Sequence, residues 1–538
     1  MNSHSAEGAL TPKNTSDEPL IVTLDVGTSS VRTLLFDAQA REMEGFGTQR
    51  GYHVATTPDG GVEVEADHLA ALSIEALSFI HAQMKTAKLH PAAVACCTFW
   101  HNVLGIGADE RPTTPILHLF DTRSAAAARK LAQQFDVRYL HERTGCVLHP
   151  SYLPAKLLWL SENRPETFRA TRRWMSFGEY LFLKLFGRAV ASTSMVSGSG
   201  LWNQNENDYD AVVLSALPID KGQLTPAREM DEPLKDLRGE YKSQWHGLAG
   251  APWYPALGDG ACNNIGSGCH APDRFALMVG TSGAMRAVIE QPRIEIPDSL
   301  WCYRVDRRRF VLGGALSNGG LVFEWMNRTL ALPADRQETE KQVAALAPDS
   351  HGLTFLPFFA GERSTKWRAD ARAAVTGMSM NTRPVDLLRA ALESVALRFR
   401  EVYELMTAQL DHTGASSSSS VSASGLSDRG SRQPQASSGV PRDVVASGGA
   451  LIHSPAWTQM IADALDRPVT LCLEKEASSR GAALLALERL RVISHVRDLP
   501  ARMGSTLEPV EGHHQAYERA LRRQRRLYGK LFEEDETV

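Results

Sequence analysis

The sequence contains no Cys-x-x-Cys pair, although it has seven cysteines, so a cysteine-based zinc site is not expected. It also lacks any hydrophobic run approaching the ~18 residues that a membrane-spanning helix needs. Residues 1–18 are polar and lack the apolar core of a secretory signal peptide. An odd number of cysteines fits reduced, buried thiols. These absences predict a cytoplasmic protein without a membrane span.

An excess of charge of either sign is also missing. The chain has 58 Lys and Arg residues against 62 Asp and Glu residues, which gives a formal net charge of -4. This balance does not favour binding to nucleic acid or to an anionic membrane. The chain has 538 residues, of which 43% are hydrophobic and 22% charged, and this is long enough for two large domains. Both a monomer and a homodimer are compatible with the sequence.

The most informative stretch is 20–37, which reads LIVTLDVGTSSVRTLLFD. Two short apolar runs, typical of buried strands, flank a turn at Gly27, which permits a positive-φ hairpin. Asp25, at the end of the first run, could hold Mg²⁺ through water. An ordinary Gly-Thr hairpin with a surface aspartate is the alternative. The turn offers hydroxyl groups that can bind phosphate oxygens, from Thr28, Ser29 and Ser30, and a positive charge nearby, from Arg32.

The tripeptide Gly-Thr-Ser returns in the second half of the chain. Residues 275–288 read FALMVGTSGAMRAV, so the tripeptide again separates two apolar runs. Met278 occupies the position of Asp25, and only the first copy therefore carries a carboxylate suited to a metal. Two facing hairpins, one from each half, would clamp one nucleotide from two sides. A coincidental repeat is the alternative.

These hairpins make the chain resemble the FGGY carbohydrate kinases of the actin-like ATPase superfamily. The similarity runs from about Leu20 to Leu531, nearly the whole chain. It implies an α/β fold with two actin-like (ribonuclease H-like) domains, each a mixed sheet flanked by helices. It also implies that ATP and a small sugar or sugar acid bind in the interdomain cleft, and that ATP and Mg²⁺ are the cofactors.

The resemblance implies boundaries for the two domains. We expect a disordered tail at 1–18, a sugar-binding domain with the catalytic base at 19–268, and a nucleotide-binding domain at 269–538. Residues 413–442 are rich in Ser, Gly, Arg, Gln and Pro and have almost no apolar content. They are predicted to form a disordered surface insertion, because family-like sequence resumes after them. A phosphorylated regulatory loop is the alternative.

Two apolar runs of the first half end in residues suited to binding a polyol. The run 91–98 is a predicted buried strand followed by Trp100 and His101, and 115–123 ends in Asp121 and Arg123. Ligands bind at strand ends in open α/β sheets. A Trp face covers the C–H side of a polyol, and a His can hydrogen-bond a hydroxyl. For Trp100 and His101, the alternative is a core aromatic residue beside a histidine whose hydrogen bonds are satisfied within the protein. For Asp121 and Arg123, the alternative is a surface ion pair. The family, however, places a similar Asp-x-Arg beside the sugar.

The segment 253–268 contains Gly258-Asp259-Gly260 after a short predicted strand. Flanking glycines let the backbone approach a ligand closely and leave the carboxylate unshielded. Phosphate transfer to a sugar hydroxyl needs a base within hydrogen-bond reach of that hydroxyl. Asp259 is the candidate base, because the family pattern places it just before the second hairpin. By itself, Asp-Gly is also a common turn.

Segments of the second half match the nucleotide site of the family. A glycine and a polar residue that lie against the nucleotide in the family correspond to Gly320 and Glu324. Two glycines precede a helix where the family binds adenosine, and His453 follows at a position often held by Asn. The resemblance implies these ATP-binding residues: Thr28, Ser29, Ser30, Arg32, Gly280, Thr281, Ser282, Gly320, Glu324, Gly448, Gly449 and His453.

The pair Trp100-His101 and the segment Phe-Phe-Ala-Gly-Glu-Arg resemble the gluconokinase branch most. Gluconate carries a carboxylate that needs a cation, and either Arg123 or Arg363 could supply it. Xylulokinases usually have a Gln directly before the aromatic or Met residue that precedes the His, whereas this chain has Phe99 at that position. Xylulose, or another pentulose or polyol, is the enzymatic alternative. An inactive sugar-binding regulator and an actin-like filament or chaperone ATPase are alternatives from other classes.

Overall fold

A computed structural model describes residues 18–418 and 442–533, and the side chains of 413–418 are not part of that description. Two large mixed sheets form the two halves of the protein, each with helices packed on it. This confirms the predicted α/β fold with two sheet-containing domains. The predicted boundary at 268 falls between the last helix of the first half and the first strand of the second half.

The first half contains the strands β1 (Leu20–Val26), β2 (Ser30–Phe36), β3 (Glu42–Gly51), β4 (Ala55–Thr56), β5 (Val62–Val64), β6 (Pro91–Thr98), β7 (Leu104–Ile106), β8 (Ile116–Leu117), β9 (Arg173–Met175), β10 (Ala191–Ser192), β11 (Trp202–Asn203), β12 (Asp208–Tyr209), β13 (Ala227–Arg228) and β14 (Leu257–Gly258). Its helices are α1 (Ala66–Thr86), α2 (Ala125–Gln134), α3 (Val137–Thr144), α4 (Leu153–Asn163), α5 (Pro165–Ala170), α6 (Phe177–Phe186), α7 (Thr193–Ser197), α8 (Ala211–Ser215), α9 (Gly239–Gln244), α10 (His246–Ala249) and α11 (Asp259–Gly266), with a 3₁₀ turn at Lys221–Gln223.

The second half contains the strands β15 (Arg274–Val279), β16 (Gly283–Glu290), β17 (Trp301–Arg304), β18 (Arg309–Leu316), β19 (Thr354–Leu356), β20 (Ala374–Thr376), β21 (Asp443–Ser447), β22 (Val469–Cys472) and β23 (Met503–Leu507). Its helices are α12 (Gly320–Thr329), α13 (Arg336–Ala345), α14 (Pro384–Ser418), α15 (Gly449–Ile452), α16 (Pro455–Leu465), α17 (Ala477–Arg489) and α18 (His513–Phe532), with a 3₁₀ turn at Val496–Asp498.

The two Gly-Thr-Ser turns occupy corresponding places in the two sheets. The first sheet has the strand order β14-β6-β1-β2-β3, and the second has β17-β18-β16-β15-β21-β22-β23. In each sheet an antiparallel hairpin (β1–β2 or β15–β16) lies beside a parallel neighbour (β6 or β21). Asp25 pairs with Arg32 across the first hairpin, and Met278 pairs with Ala284 across the second. The sequence repeat is therefore a repeat of structure.

Helix α17 belongs to the second half of the sequence but packs on the first sheet. Its Ala482, Leu484 and Leu485 share one buried cluster with Ile21 of β1 and Ala93 of β6. The same cluster includes residues of α11, β16, β17 and β18. The two halves are therefore joined by a common core around α11 and α17, rather than by a flexible linker alone.

The cysteines agree with the prediction, whereas α14 extends into the segment that was predicted to be disordered. All seven cysteines are buried and unpaired, as predicted. Among the described residues, no helix combines the length and the hydrophobicity needed to cross a bilayer. Residues 1–17 of the predicted tail lie outside the described part. Helix α14 begins at Pro384 and continues to Ser418, into the segment predicted to be disordered; 419–441 are also outside the described part.

Candidate active site between the two halves

Asp259 is the first residue of α11 and directly follows β14, which runs parallel to β6. This register places it at the same sheet edge as Trp100, which follows β6. The Trp100 indole covers both flanking glycines: a Cβ at Gly258 would lie 1.9 Å from its Cε2 atom, and one at Gly260 2.7 Å from its Cζ3 atom. Only glycines leave room for this packing, which fixes the carboxylate beside the indole.

Asp25 and Asp259 lie close enough for their charges to interact. Asp25 is buried at the end of β1, the strand next to β6, and its Oδ2 atom is 3.5 Å from Nη1 of Arg32. Burial raises the pKa of the Asp25 carboxyl, and Arg32 opposes that shift. Burial, and then the charge of Asp25, raise the pKa of Asp259 to about 6, against the opposing effect of Arg286. The two carboxylates are thus brought close together, and their joint role at an active site stays a prediction.

The donor set around Asp25 fits an oxygen-liganded divalent cation. Two carboxylates approach each other here, and the Ser479 hydroxyl of α17 lies beside Asp25. Arg32 also lies near Glu476, with 3.5 Å between its Nε and Oε2 of that residue. It therefore interacts with two carboxylates, those of Asp25 and Glu476. Mg²⁺ is bound in proteins by one or two carboxylates together with water and phosphate oxygens.

Arg286 brings a positive charge from the second half to the base. It lies on β16, the second strand of the second hairpin, and is buried. Its Nη1 donates a 3.3 Å hydrogen bond to Oδ1 of Asn263, one turn after Asp259 on α11. Arg286 was not predicted, because the repeat that aligns Met278 with Asp25 aligns Met285, and not Arg286, with Arg32.

The tip of the first hairpin is only partly exposed. Thr28 is half-buried and Ser29 exposed, so both are accessible to a ligand. Ser30 is 6% exposed at the start of β2, so it is less accessible than these two residues, and its contact with phosphate stays a prediction. Tyr52, which the sequence analysis also missed, donates a 2.6 Å hydrogen bond to the carbonyl of Gly27. This bond braces the turn.

The predicted nucleotide-binding glycines come together around the second hairpin. The N–H of Gly320, at the start of α12, donates a 2.7 Å bond to the carbonyl of Gly280, and Leu321 N–H bonds Thr281 O at 3.0 Å. Gly448 has φ +94°, and a Cβ there would lie 2.4 Å from the carbonyl of Val279. A side chain would therefore break this approach. Four remaining predicted residues lie on the neighbouring elements: Ser282 in the turn of the hairpin, Glu324 on α12, Gly449 on α15 and His453 directly after α15.

His101 lies at the base of the predicted sugar pocket in a constrained conformation. Its φ is +62°, its Nδ1 is 2.6 Å from the carbonyl of Gly198, and it is buried. Burial, and then the charge of Arg363, lower the pKa of His101 to about 3, so the imidazole is neutral near pH 7. The buried Lys156 ammonium donates to the carbonyls of His101 and His118 at 2.7 and 2.8 Å, and its pKa is lowered to about 7 by burial.

Asp121 and Arg123 are bound to other residues of the first half. Nη2 of Arg123 lies 2.6 Å from Oδ2 of Asp121 and 2.6 Å from Oε1 of Glu63, and its guanidinium covers the Trp159 ring at 4.6 Å. Asp121 also accepts a 3.1 Å bond from the N–H of Val62. The Arg123 side chain is only 6% exposed. The pair therefore forms a buried ion-pair network with Glu63, and its contact with the sugar stays a prediction.

Both halves contribute aromatic residues to the region around Trp100 and His101. The Tyr303 ring of β17 lies 5.0 Å from Trp100 and 5.3 Å from His101, centroid to centroid, and its hydroxyl is 2.6 Å from that of Tyr152. Backbone contacts hold the halves together nearby: Cys302 N–H donates to the carbonyl of Gly145 at 3.0 Å. Tyr152 and Tyr303 were also missed, because their contact joins residues distant in the sequence.

Comparisons with known proteins agree with this geometry. The family model "FGGY family of carbohydrate kinases, N-terminal domain" matches residues 20–266, and the corresponding C-terminal domain matches 275–488. The gluconokinase of Bacillus subtilis is 25% identical over 504 residues, covering 91% of each chain. A gluconate kinase from Lactobacillus acidophilus superposes with a TM-score of 0.83 at 24% identity, covering 96% of this chain and 98% of the other.

A second solved structure shows that the fold is shared with kinases of other named substrates. A xylulose kinase from Lactobacillus acidophilus superposes with a TM-score of 0.82 at 24% identity, covering 95% of this chain and 98% of the other. At this identity the likeness establishes the fold and not the substrate. The two matching domain models, which together cover most of the chain, show that it belongs to the FGGY family of carbohydrate kinases.

Proposed function

We propose that the protein transfers the γ-phosphoryl group of ATP to the terminal hydroxyl of gluconate, forming 6-phosphogluconate. The observation that carries this proposal is the position of Asp259 at the cleft, between Trp100 and Arg286 and next to Asp25. Relatives named gluconokinase or gluconate kinase, which align over nearly the whole chain, support the choice of gluconate.

Asp259 acts as the general base in the proposed reaction. It accepts the proton of the substrate hydroxyl while the hydroxyl oxygen forms a bond to the γ-phosphorus and the bond to the β-phosphate oxygen of ATP breaks. Arg286 keeps the carboxylate sufficiently acidic to be ionised at neutral pH. Trp100 positions the substrate through contact with its C–H face.

The two Gly-Thr-Ser hairpins are the proposed sites of the ATP phosphates, with Thr28, Ser29 and Thr281 as the accessible hydroxyls. Asp25 would hold Mg²⁺, which supplies charge neutralisation for the phosphates when bound. Arg32 is placed to offset developing negative charge. Closure of the two halves around both substrates would exclude water, which otherwise competes for the γ-phosphate.

The substrate is tested by measuring ADP release with gluconate, xylulose, glycerol and glucitol. We expect the highest kcat/KM with gluconate, by about tenfold or more over the neutral compounds, which corresponds to about 1.4 kcal/mol of discrimination. A higher value with xylulose would make the protein a pentulose kinase, which the xylulose kinase fold likeness allows. No ADP release with any sugar would favour an inactive sugar-binding regulator.

The pH dependence of kcat/KM is expected to show an acidic limb near pH 6. Asp259 must be ionised to accept a proton, and its pKa is raised to about 6 by burial and by Asp25. Activity should therefore fall tenfold for each pH unit below this value and reach a plateau above it. Initial rates between pH 4.5 and 8.5 measure the limb, and circular dichroism over the same range verifies that the protein stays folded.

The variant Arg286→Gln tests the assignment of that limb. Because Arg286 lowers the pKa of Asp259, its removal should move the limb to higher pH. A limb that does not move in Arg286→Gln, or a wild-type profile that is flat from pH 5 to 8, would exclude Asp259 as the titrating group.

A further inference from the structure

Arg363 is a cation from the second half that reaches the sugar pocket of the first. It follows Gly361, whose φ is +72°, in the loop after β19. Its guanidinium lies 5.7 Å from the centre of the Trp367 ring. Its charge contributes to the low pKa values, about 3, of the buried imidazoles of His101 and His149. The Trp367 ring lies 5.7 Å from the His149 ring and 6.5 Å from the Tyr152 ring, and Tyr152 in turn lies 5.0 Å from His101, so the guanidinium is next to this aromatic cluster.

The charge of Arg363 is not neutralised within the protein. Across residues 18–418 and 442–533, no carboxylate lies within ion-pair distance of it, and its buried Nε has no hydrogen-bond partner. The adjacent Glu362 instead contacts Arg398 and accepts a 2.6 Å bond from the Tyr528 hydroxyl. Arg363 is half-buried, and a guanidinium partly removed from water without an anion is costly, because such a charge requires a compensating partner.

The other cation considered for the substrate differs in this respect. Arg123 is within 2.6 Å of two carboxylate oxygens, one from Asp121 and one from Glu63. These two acids already neutralise the charge of Arg123, and the carboxylate of a substrate would be repelled by them. Arg286, the remaining buried cation near the base, interacts with Asp259 and bonds Asn263. Among these three arginines, only Arg363 lacks a protein anion.

Aromatic residues connect the surroundings of Asp259 with those of Arg363. Trp100 packs on the glycines that flank Asp259, and the ring of Tyr303 lies 5.0 Å from Trp100 and 5.3 Å from His101. A six-carbon chain contains five C–C bonds of about 1.5 Å and spans roughly 6 Å when extended. Trp100 contacts the residues on either side of Asp259, and Tyr303 and His101 continue from Trp100 toward Arg363, so the hydroxyl end of such a chain is assigned to Asp259 and its acidic end to Arg363.

We propose that Arg363 binds the carboxylate of an aldonic acid substrate and so selects sugar acids over neutral polyols and ketoses. This inference rests on the proposed function, since it assigns the acidic end of the same substrate. The guanidinium donates two N–H groups to the carboxylate, and its buried Nε gains the partner that it lacks in the protein. A neutral substrate leaves the cation without a counter-ion.

The test compares Arg363→Gln with wild type on gluconate and on the neutral polyol glucitol. A hydrogen bond to a charged group is worth about 1.5–3 kcal/mol, so we expect KM for gluconate to rise about 10- to 100-fold. The values of KM for ATP and of KM for glucitol should not rise. Arg363→Lys should recover part of the affinity, because it keeps the charge and loses the fork geometry.

The matched control is Arg372→Gln, which removes an exposed arginine of the same loop that bonds only the carbonyls of Ala369 and Ala371. It should leave all constants unchanged, and thermal unfolding verifies that each variant is folded. An equal loss on gluconate and glucitol in Arg363→Gln, or no loss on either, overturns the carboxylate site while gluconate phosphorylation stands.

Binding measurements separate the carboxylate site from the proposed function. If the wild-type protein phosphorylates another sugar but gluconate competes with it, and this competition is lost in Arg363→Gln, the carboxylate site stands and the proposed substrate fails. Gluconate that is neither phosphorylated nor bound by wild type overturns both.

Discussion

Replacement of Asp259 by Asn is expected to lower kcat for gluconate phosphorylation by about 10²–10⁴-fold and to leave ATP binding near its wild-type affinity. Asn keeps the shape of the side chain and its bond from the Gly260 N–H, but it cannot accept the hydroxyl proton. The nucleotide residues lie on the hairpins, α12 and α15, and are not altered. Initial-rate assays of ADP release and calorimetric titration with ATP measure the two quantities.

The same variant should not lose stability. The pKa of Asp259 is raised in the folded protein to about 6 from its usual 3.8, so the ionised carboxylate opposes folding at neutral pH. Replacement by Asn removes this effect. The unfolding temperature at pH 7.5 should equal or exceed that of wild type, and the advantage should disappear as the pH falls through 6 toward 4.

Asp370→Asn is the matched control for both measurements, because it makes the same change at a carboxylate that is 79% exposed. Its turnover and stability should stay at wild-type values. Most of the wild-type turnover in Asp259→Asn would remove Asp259 from the role of base. A large loss of stability would show that the carboxylate has a structural function instead.

The parts of the site that the sequence predicted are those encoded locally. A Gly-Thr-Ser turn between two apolar runs specifies a hairpin with few residues, so both hairpins and the place of Asp25 at a strand end could be derived. Asp259 followed from its flanking glycines and its position in the chain. The helix from Pro384 likewise followed from apolar spacing and a proline in the first turn.

The parts that the sequence did not predict depend on contacts between distant residues. The sequence shows an exposed-looking Asp-x-Arg, but the second partner of Arg123 is Glu63, which is remote in the chain. In the same way, Tyr303 meets Tyr152 only because β17 docks against the first half. The burial of Ser30 was not predicted either, because a run of hydroxyl residues does not reveal which of them becomes buried at the start of a strand.

The second large effect is expected for Gly481→Ala, which should destabilise the protein by more than about 3 kcal/mol and lower kcat by about 10²-fold. A Cβ at Gly481 of α17 would lie 1.8 Å from the carbonyl oxygen of Cys262 on α11. Gly266 makes the reciprocal approach, 1.8 Å from the carbonyl of Ala477. Both obstacles are helix backbone, so relief requires α11 and α17 to separate.

Separation of these helices should displace the proposed catalytic base, because Asp259 is the first residue of α11. A displacement of about 1 Å at a reacting group can cost about 100-fold in rate. The loss should therefore appear in kcat even at temperatures where the variant is folded. Denaturant unfolding at 25 °C and steady-state rates on the folded variant measure the two effects separately.

Gly529→Ala on α18 is the matched control, since it makes the same substitution inside a helix where the nearest atom to the new Cβ is a flexible Glu533 oxygen at 3.6 Å. There, alanine should stabilise the helix by up to about 1 kcal/mol and leave kcat unchanged. If Gly481→Ala behaves like this control, the close contact of α11 and α17 does not hold the base in place. If it loses stability while the folded fraction keeps full turnover, the helix pair joins the halves without setting the position of Asp259.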